Sequence, residues 1–282
     1  MVEVTRHQSP DSFLAAARDT LLLAEAENHM ILGVAEGLAR NPAAAPHAYL
    51  ATVGDGPRVL ACAVYIAPFK LLLTRANREP MAVLARDAFD AFPGVDGITG
   101  PERSAADFAA AWSKLTGVEP RLGMRMRIHE TRKVTDSSLP TPSGALRAAE
   151  AGDHDLLTRW TEEFASEARI PEKFDAGAIV GDSIKRNRLY VWADGGPKSM
   201  AAWTGRTPNG VRINFVYTPR ELRGKGYASA CVRTLTRQQL EQGCAFCWLY
   251  TDLSSAASPN IFKRIGYWPV SDVVEYYLTA ET

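Results

Sequence analysis

The sequence predicts a mixed α/β fold made of two consecutive domains. Short apolar segments that are typical of strands alternate with segments whose apolar residues recur at helical spacing. The order of these segments in the first half of the chain is repeated in the second half. The length of 282 residues agrees with two domains of about 150 residues each.

A stretch without apolar periodicity separates the two predicted domains. Residues 135–144 are rich in Ser, Thr and Pro, which is the composition of a linker. We therefore expect a first domain over residues 1–134, a linker over residues 135–144 and a second domain over residues 145–282.

Each half is predicted to begin with a strand and two helices, followed by three strands, a helix, a strand, a helix and a closing strand or pair of strands. In the first half, strands are predicted at residues 2–5, 49–53, 59–66, 70–74, 95–99 and 123–134, and helices at 11–26, 29–40, 80–92 and 105–116. In the second half, strands are predicted at residues 145–148, 189–193, 199–204, 211–218, 245–250, 267–270 and 273–279, and helices at 153–168, 175–186, 226–242 and 259–264.

Turn and cap residues set several boundaries in the second half. The Asp153 side chain can cap the first helix of this half, because Asp is a preferred N-cap residue. Residues 207–210, with the sequence Thr-Pro-Asn-Gly, predict a hairpin turn between two strands. Gly243 follows the helix at 226–242 in the position of a C-terminal cap.

The composition excludes several classes of protein. There are 32 Lys+Arg and 32 Asp+Glu, so no basic excess attracts nucleic acid or an anionic membrane. The longest apolar stretch, residues 59–69, is about half of the roughly 20 residues that span a bilayer. The 4 Cys and 5 His form neither a disulfide framework nor a ligand pattern, so no metal is expected. Because the N-terminus carries Glu3 and no apolar signal segment, we expect a cytoplasmic protein.

One segment of the second half suggests a chemical function. Residues 215–229 run from a strand, through a turn that contains Gly224 and Gly226, into a helix. Because glycine has no Cβ, the backbone can approach a ligand, and the N–H groups at the start of the helix suit a pyrophosphate. Arg223 and Lys225 add positive charge. A turn that merely requires glycine is the simpler interpretation.

Three phosphate-binding motifs can be compared with this segment. A P-loop requires Lys and then Ser or Thr after its second glycine, whereas Gly226 is followed by Tyr227. A Rossmann fingerprint requires a third glycine where Ser229 stands, and it follows the first strand of a βαβ unit rather than a hairpin. The segment instead resembles the acyl-CoA pyrophosphate loop of the GNAT acetyltransferases, Gln/Arg-x-x-Gly-x-Gly/Ala. Residues 262–267 further resemble the helix of that family that leads into a Gly-Phe/Tyr strand.

The resemblance covers the whole second half, and the two halves together resemble bacterial tandem GNAT proteins with one intact and one degenerate domain. It implies that each domain is a mixed, mostly antiparallel twisted sheet flanked by helices. It also implies that the second half binds acyl-CoA through Phe215, Val216, Tyr217, Arg223, Gly224, Lys225, Gly226, Tyr227 and Ala228. The corresponding stretch of the first half, residues 74–80, contains no glycine, so we expect no acyl-CoA there.

Two residues depart from the pattern of the family. Glu221 stands at the Gln/Arg position, which in the family contributes largely through its backbone N–H. Phe262 stands where many members carry a tyrosine that acts as general acid, and phenylalanine has no proton to donate. The alternative interpretation of Phe262 is that its ring packs under the sheet.

Three further residues are candidates for roles in acceptor binding and proton transfer. Asp252 follows the strand at 245–250 and could orient an amine or relay its proton, although a strand-end cap is the alternative. Trp160 and Glu163 lie on a helix that borders the acceptor pocket in the family. An aromatic ring beside a carboxylate suits a cationic amine, and the alternative is ordinary helix packing with an exposed Glu.

The resemblance implies an N-acetyltransferase that transfers an acetyl (acyl) group from acetyl-CoA to an amine by direct attack. It further implies that acyl-CoA and the amine-bearing acceptor are the partners. From the composition we expect no nucleic acid, membrane or metal, and we expect a monomer or a homodimer. A non-catalytic acyl-CoA-binding or regulatory protein is the alternative, and the missing tyrosine at Phe262 favours it.

Overall fold

The computed structural model describes residues 2–135, 141–170, 174–254 and 258–279. The chain forms two units, of which the first comprises Met1–Ile128, Thr251–Ser255 and Val270–Thr282, and the second comprises His129–Tyr250 and Ala256–Pro269. Residues 136–140 of the predicted linker lie outside the described residues. The units differ from the predicted domains at the C-terminus, because the last residues of the chain are grouped with the first unit.

The N-terminal part of the chain alternates helices and strands in nearly the predicted positions. Its strands are β1 (Val2–Arg6), β2 (Tyr49–Asp55), β3 (Arg58–Tyr65), β4 (Leu71–Leu73), β5 (Gly97–Pro101) and β6 (Arg121–Thr131). Its helices are α1 (Pro10–Leu22), α2 (Glu25–Arg40), α3 (Arg78–Ala91) and α4 (Glu102–Thr116).

The C-terminal part repeats this order of elements. Its strands are β7 (Ala145–Ala148), β8 (Leu189–Ala193), β9 (Pro197–Thr204), β10 (Gly210–Tyr217), β11 (Phe246–Asp252) and β12 (Trp268–Tyr277). Its helices are α5 (His154–Glu167), α6 (Ala176–Lys185), α7 (Tyr227–Glu241) and α8 (Ser258–Ile265).

The sheet of the first unit carries helices on both faces. Its strands follow the order β1-β2-β3-β4-β5-β12-β6, and β4 pairs with β5 in parallel whereas β1, β2 and β3 pair antiparallel. On one face, α3 and α4 bury side chains such as Leu84 and Phe108. On the other face, α1 and α2 bury Phe13 and Leu32. Burial of these apolar side chains stabilises the unit.

The last strand corrects the sequence prediction. Two strands were expected, at residues 267–270 and 273–279, because Ser271 and Asp272 interrupt the apolar pattern. The structure has the single strand β12, in which Val273–Tyr277 pair antiparallel with β5. The polar pair is tolerated because the Arg127 guanidinium donates to the Asp272 carboxylate at 2.6 Å. The Arg75 guanidinium likewise donates to the Ser271 hydroxyl at 3.1 Å.

The second unit positions the candidate site. Its strands follow the order β11-β10-β9-β8-β7, with β10 and β11 parallel and the other neighbouring pairs antiparallel. Helix α7 packs on one face through Leu235, against Cys247 and Tyr267. Helices α5 and α6 pack on the opposite face through Leu157 and Val180.

The cap predictions for this unit have different outcomes. The prediction that Asp153 caps α5 is wrong, because its carboxylate accepts from the Arg147 guanidinium at 2.6 Å and from the Glu150 N–H at 2.9 Å. The short 3₁₀ turn Ala151–Asp153 precedes the helix instead. Gly243 follows the end of α7 with a φ of 96°, which confirms the predicted helix end.

Candidate functional site

A bulge interrupts β10 at the predicted acyl-CoA strand. Asn214 lies opposite Ala202 of β9, and Tyr217 lies opposite Met200, so two residues of β10 stand where β9 supplies one. Phe215 adopts a φ of 48°, in the left-handed region that non-glycine residues rarely occupy. Such a bulge removes backbone groups from the ladder and bends the strand.

Strands β10 and β11 separate before the bulge. Their parallel pairing runs only from Gly210 to Arg212 on β10 and from Phe246 to Trp248 on β11. Both strands continue further, to Tyr217 and Asp252. Within the described residues, the last five positions of β10 therefore have no ladder partner on the β11 side, and their backbone can pair with an extended ligand.

The glycine turn follows the open strand. A 3₁₀ turn at Arg220–Leu222 leads to Gly224, with a φ of 77°, and to Gly226, with a φ of 84°. A Cβ added at Gly224 would have no neighbour within 4 Å, so its backbone conformation rather than a lack of space requires glycine. Helix α7 begins directly after Gly226, and the N–H groups of its first turn have no acceptor inside the helix.

The two predicted cations of the turn have different surroundings. The Arg223 guanidinium donates to the carbonyl of Thr218 at 2.8 Å and to the Glu167 carboxylate at 2.7 Å. Glu167 also accepts from Arg220 at 3.0 Å. Although burial opposes the change, these hydrogen bonds lower the pKa of Glu167. Lys225 is exposed and forms no ion pair with any described residue.

The other residues predicted to bind acyl-CoA lie on either side of the glycine turn, at the end of β10 and the start of α7. The Phe215 ring lies edge-on to Phe164 of α5, with 5.7 Å between centroids, and Val216 packs against the α7 cluster. The Tyr227 hydroxyl donates to Asp194 at 3.2 Å, and Ala228 lies in the first turn of α7. The side chains of Phe215 and Val216 therefore pack on opposite faces of the sheet.

A cavity of about 370 Å³ brings both predicted acceptor residues together. It is lined by Trp160, Glu163, Ser166, Glu167, Tyr217, Pro219, Arg220 and Glu221. The Tyr217 hydroxyl donates to the Glu163 carboxylate at 2.7 Å, and the Trp160 ring centroid lies 6.3 Å from that of Tyr217. Burial, together with the bond to Glu163, raises the pKa of Tyr217 to about 12. The hydroxyl therefore stays protonated at neutral pH.

The predicted proton-transfer residues are placed as follows. Phe262 of α8 is partly buried, and its ring lies edge-on to Tyr267 with 6.1 Å between centroids. Asp252 is exposed in a segment grouped with the first unit, and its carboxylate accepts from the N–H and the hydroxyl of Ser254, both at 2.8 Å.

The corresponding stretch of the first unit has a different geometry. The N–H of Thr74 donates to the carbonyl of Cys62, and the N–H of Ala76 donates to the Ser104 hydroxyl. Helix α3 then begins at Arg78 without a glycine turn. These two N–H groups are thus bonded within the protein, whereas the second unit presents an open turn.

The described residues hold no group of three or more His, Cys, Asp or Glu side chains arranged to bind a metal ion. No helix in the described part of the chain has both the length and the apolar character that crossing a membrane requires.

Sequence reasoning did not find two features of this region. The cluster of Glu167, Arg220 and Arg223 joins residues more than fifty positions apart, and no local pattern indicates it. The bulge at Phe215 was also missed, because the segment has an ordinary strand pattern and no glycine at that position.

Comparison with known proteins gives one family match. Residues 192–276, which contain the bulge and the glycine turn, match the family described as FR47-like protein. A comparison with curated proteins finds no match.

Several solved structures are similar over nearly the whole chain. A GCN5-related N-acetyltransferase from Sphaerobacter thermophilus is 18% identical with a TM-score of 0.61, and the match covers 100% of this chain and 97% of that chain. An acetyltransferase of the GNAT family from Colwellia psychrerythraea is 12% identical with a TM-score of 0.58, covering 98% and 100%. A tandem GNAT protein from the clavulanic acid biosynthesis pathway is 12% identical with a TM-score of 0.56, covering 100% of both chains.

These similarities confirm the fold class that the sequence predicts. At such identities the likeness concerns the fold, and it extends to a tandem GNAT protein over the full length of both chains. The chain therefore has the fold of the GNAT acetyltransferases, and its residues 192–276 match the FR47-like proteins.

Proposed function

We propose that the protein transfers an acetyl (acyl) group from acetyl-CoA to an amine. The observation that carries this proposal is the opening between β10 and β11 beyond Arg212, followed by a glycine turn at the start of α7. The opening supplies unpaired backbone for an extended ligand, and the turn supplies N–H groups for an anion. The pantetheine arm and the pyrophosphate of acyl-CoA present these two features in succession.

In the proposed reaction, the bulge supplies N–H groups that stabilise the negative charge on the thioester oxygen. The amine attacks the thioester carbonyl, a C–N bond forms, and negative charge develops on the oxygen. Backbone N–H groups released from the ladder at Phe215 and Val216 are suited to stabilise that charge. The carbonyl then re-forms as the C–S bond breaks, the attacking nitrogen gives up its second proton, and the sulfur leaves as a thiolate or takes that proton.

The acceptor must lose a proton before it attacks. For an amine with a lysine-like pKa of about 10.4, deprotonation at pH 7 costs about 4.6 kcal/mol. The Tyr217 hydroxyl is not a base at neutral pH, since its pKa is raised to about 12. We assign Trp160 and Glu163 to acceptor binding, where the carboxylate and the rings favour a cation. Asp252 or a chain of waters would remove the proton.

A non-catalytic acyl-CoA-binding protein is the second candidate. Phe262, which has no hydroxyl, favours it, because the leaving sulfur then lacks the proton donor that many relatives supply. Incubation of the purified protein with acetyl-CoA and a broad panel of amines separates the candidates. Product formation supports the transferase, whereas tight acetyl-CoA binding without any product supports the binding protein.

Both candidates require the glycine turn, which a substitution at Gly226 tests. A β-branched side chain at a φ of 84° would displace the N–H groups of the turn. We expect Gly226→Val to weaken acetyl-CoA binding at least about tenfold, equivalent to about 1.4 kcal/mol, in calorimetry. The circular dichroism spectrum should remain unchanged.

Gly117→Val is the matched control for this experiment. Gly117 has a φ of 74° and no atom within 4 Å of an added Cβ, and it ends α4 in the first unit. This variant carries similar backbone strain and should bind acetyl-CoA like the wild type. If the wild type, Gly226→Val and Gly117→Val bind acetyl-CoA with equal affinity, the turn at Gly226 does not bind the pyrophosphate.

A further inference from the structure

Arg212 of β10 carries a buried donor without an acceptor. Its Nε is buried and has no hydrogen-bond partner in the structure. Its guanidinium lies over the ring of Tyr250, 4.7 Å from the centroid, and no carboxylate among the described residues forms an ion pair with it. Burial lowers the pKa of this guanidinium. A buried donor without an acceptor lowers the stability of the protein, so an anionic group of a ligand that accepts from it would bind favourably.

The register of the sheet shows which face Arg212 occupies. Asn214 lies opposite Ala202, and Arg212 lies opposite Thr204, so both side chains share the face of Ala202. Ala202 packs in the same cluster as Trp160 and Tyr217. Arg212 thus belongs to the face of the acceptor cavity, and the residue as a whole is partly exposed although its Nε is buried.

The position of Arg212 along the strand restricts the ligand. Arg212 is the last β10 residue that pairs with β11, and the bulge begins three residues later. Three residues of strand span roughly 10 Å. A single acceptor could therefore place an anionic group at Arg212 and its reacting nitrogen at the bulge only if several bonds separate the two groups.

We propose that Arg212 binds a carboxylate of the acceptor, so that the substrate class is an amine that carries a carboxylate several bonds from the reacting nitrogen. This inference rests on the proposed function and names the acceptor of the same site. The planar guanidinium can pair with a carboxylate through Nε and a terminal nitrogen at once, which satisfies the buried Nε.

Two ligands that differ only by a carboxylate test the proposal. L-Lysine and 1,5-diaminopentane share a five-carbon chain and a terminal amine. Calorimetry with the wild-type protein in the presence of CoA should show at least about tenfold tighter binding of lysine, as one charged hydrogen-bonded pair provides. Equal binding of the two amines, or no binding of either, overturns the proposal.

Variants then assign the preference to Arg212. Arg212→Met keeps much of the side-chain length and should reduce the ratio of the two affinities to near one, and Arg212→Lys should retain part of it. Arg188→Met is the matched control, because Arg188 also has a buried Nε without a partner, over the ring of Trp203. Trp203 packs on the opposite face of the sheet. If Arg188→Met lowers the preference for lysine as much as Arg212→Met does, the carboxylate is not bound by Arg212 in particular, and the assignment is contradicted.

The same measurements distinguish this inference from the proposed function. Binding is measured with CoA and does not require transfer. Tighter binding of lysine that depends on Arg212, without any acetylated product, supports the carboxylate site and contradicts the transferase. Acetylation of both amines with equal KM supports the transferase and overturns the carboxylate site.

Discussion

At the scale of single residues, Phe262 is the position at which the proposed reaction would need a proton donor for the leaving sulfur. Its neighbour Tyr267 does not replace the missing hydroxyl. The Tyr267 ring is fully buried, and its hydroxyl lies 2.7 Å from the Thr236 hydroxyl. Burial raises the pKa of Tyr267 well above its ordinary value.

We expect Phe262→Tyr to raise kcat with little change in the KM for acetyl-CoA. A general acid typically contributes about 10²–10⁴-fold to the rate, although a thiolate with an ordinary thiol pKa can leave without one. Phe262 is partly buried and packs against the apolar cluster under α7, so the rate and the stability of the variant are both needed. Steady-state kinetics and a melting curve measure both quantities.

Phe89→Tyr is the control for the added hydroxyl. Phe89 is also partly buried and lies edge-on to an aromatic ring, that of Trp112, in the first unit. We expect no change in kcat for this variant. A lower melting temperature of Phe262→Tyr without a gain in rate would support the packing interpretation of Phe262.

At the scale of elements, the glycine turn carries two cations that are not equivalent. Arg223 is held by Thr218 and Glu167, so part of its charge is offset before any ligand binds. Lys225 is exposed without an ion pair to any residue that the structure describes. Although the sequence presents the two as a pair, the structure assigns Arg223 a role in joining the turn to α5.

This difference between Arg223 and Lys225 predicts different effects of their substitution by alanine. Lys225→Ala should weaken acetyl-CoA binding several-fold, and the effect should shrink at high ionic strength, because it removes a solvent-exposed charge. Arg223→Ala should change the affinity less but lower the melting temperature, since it removes two hydrogen bonds. Calorimetry and thermal melting measure both variants. An equal loss of affinity that is insensitive to salt would contradict the distinction.

At the scale of the whole molecule, the two units differ at the position of the turn. In the first unit, residues 74–80 contain no glycine, and the N–H groups of Thr74 and Ala76 are bonded internally. We expect titration with CoA to saturate near one equivalent per chain. The Gly226→Val variant is the control, and at the same concentrations it should take up far less. Saturation near two equivalents would show that the first unit also binds CoA.

The sequence determined most elements of the fold, because their signals are local. Helix α7 was predicted at residues 226–242 and spans Tyr227–Glu241, and β8 was predicted with its observed bounds. The glycine turn was likewise found, since two glycines before a helix form a short-range pattern. The part that these residues play in acyl-CoA binding stays a prediction.

Features that depend on partners elsewhere in the chain became visible only in the folded protein. The pairing of β12 with β5 and the ion pair of Arg223 with Glu167 each join segments that are far apart in the chain. The bulge depends on the register that β10 adopts against β9. The unpaired Nε of Arg212 is a property of its surroundings and has no local pattern. Strand pairing, burial and ion pairing are set by the elements that pack against a residue, and a sequence pattern reports only the preferences of its own segment.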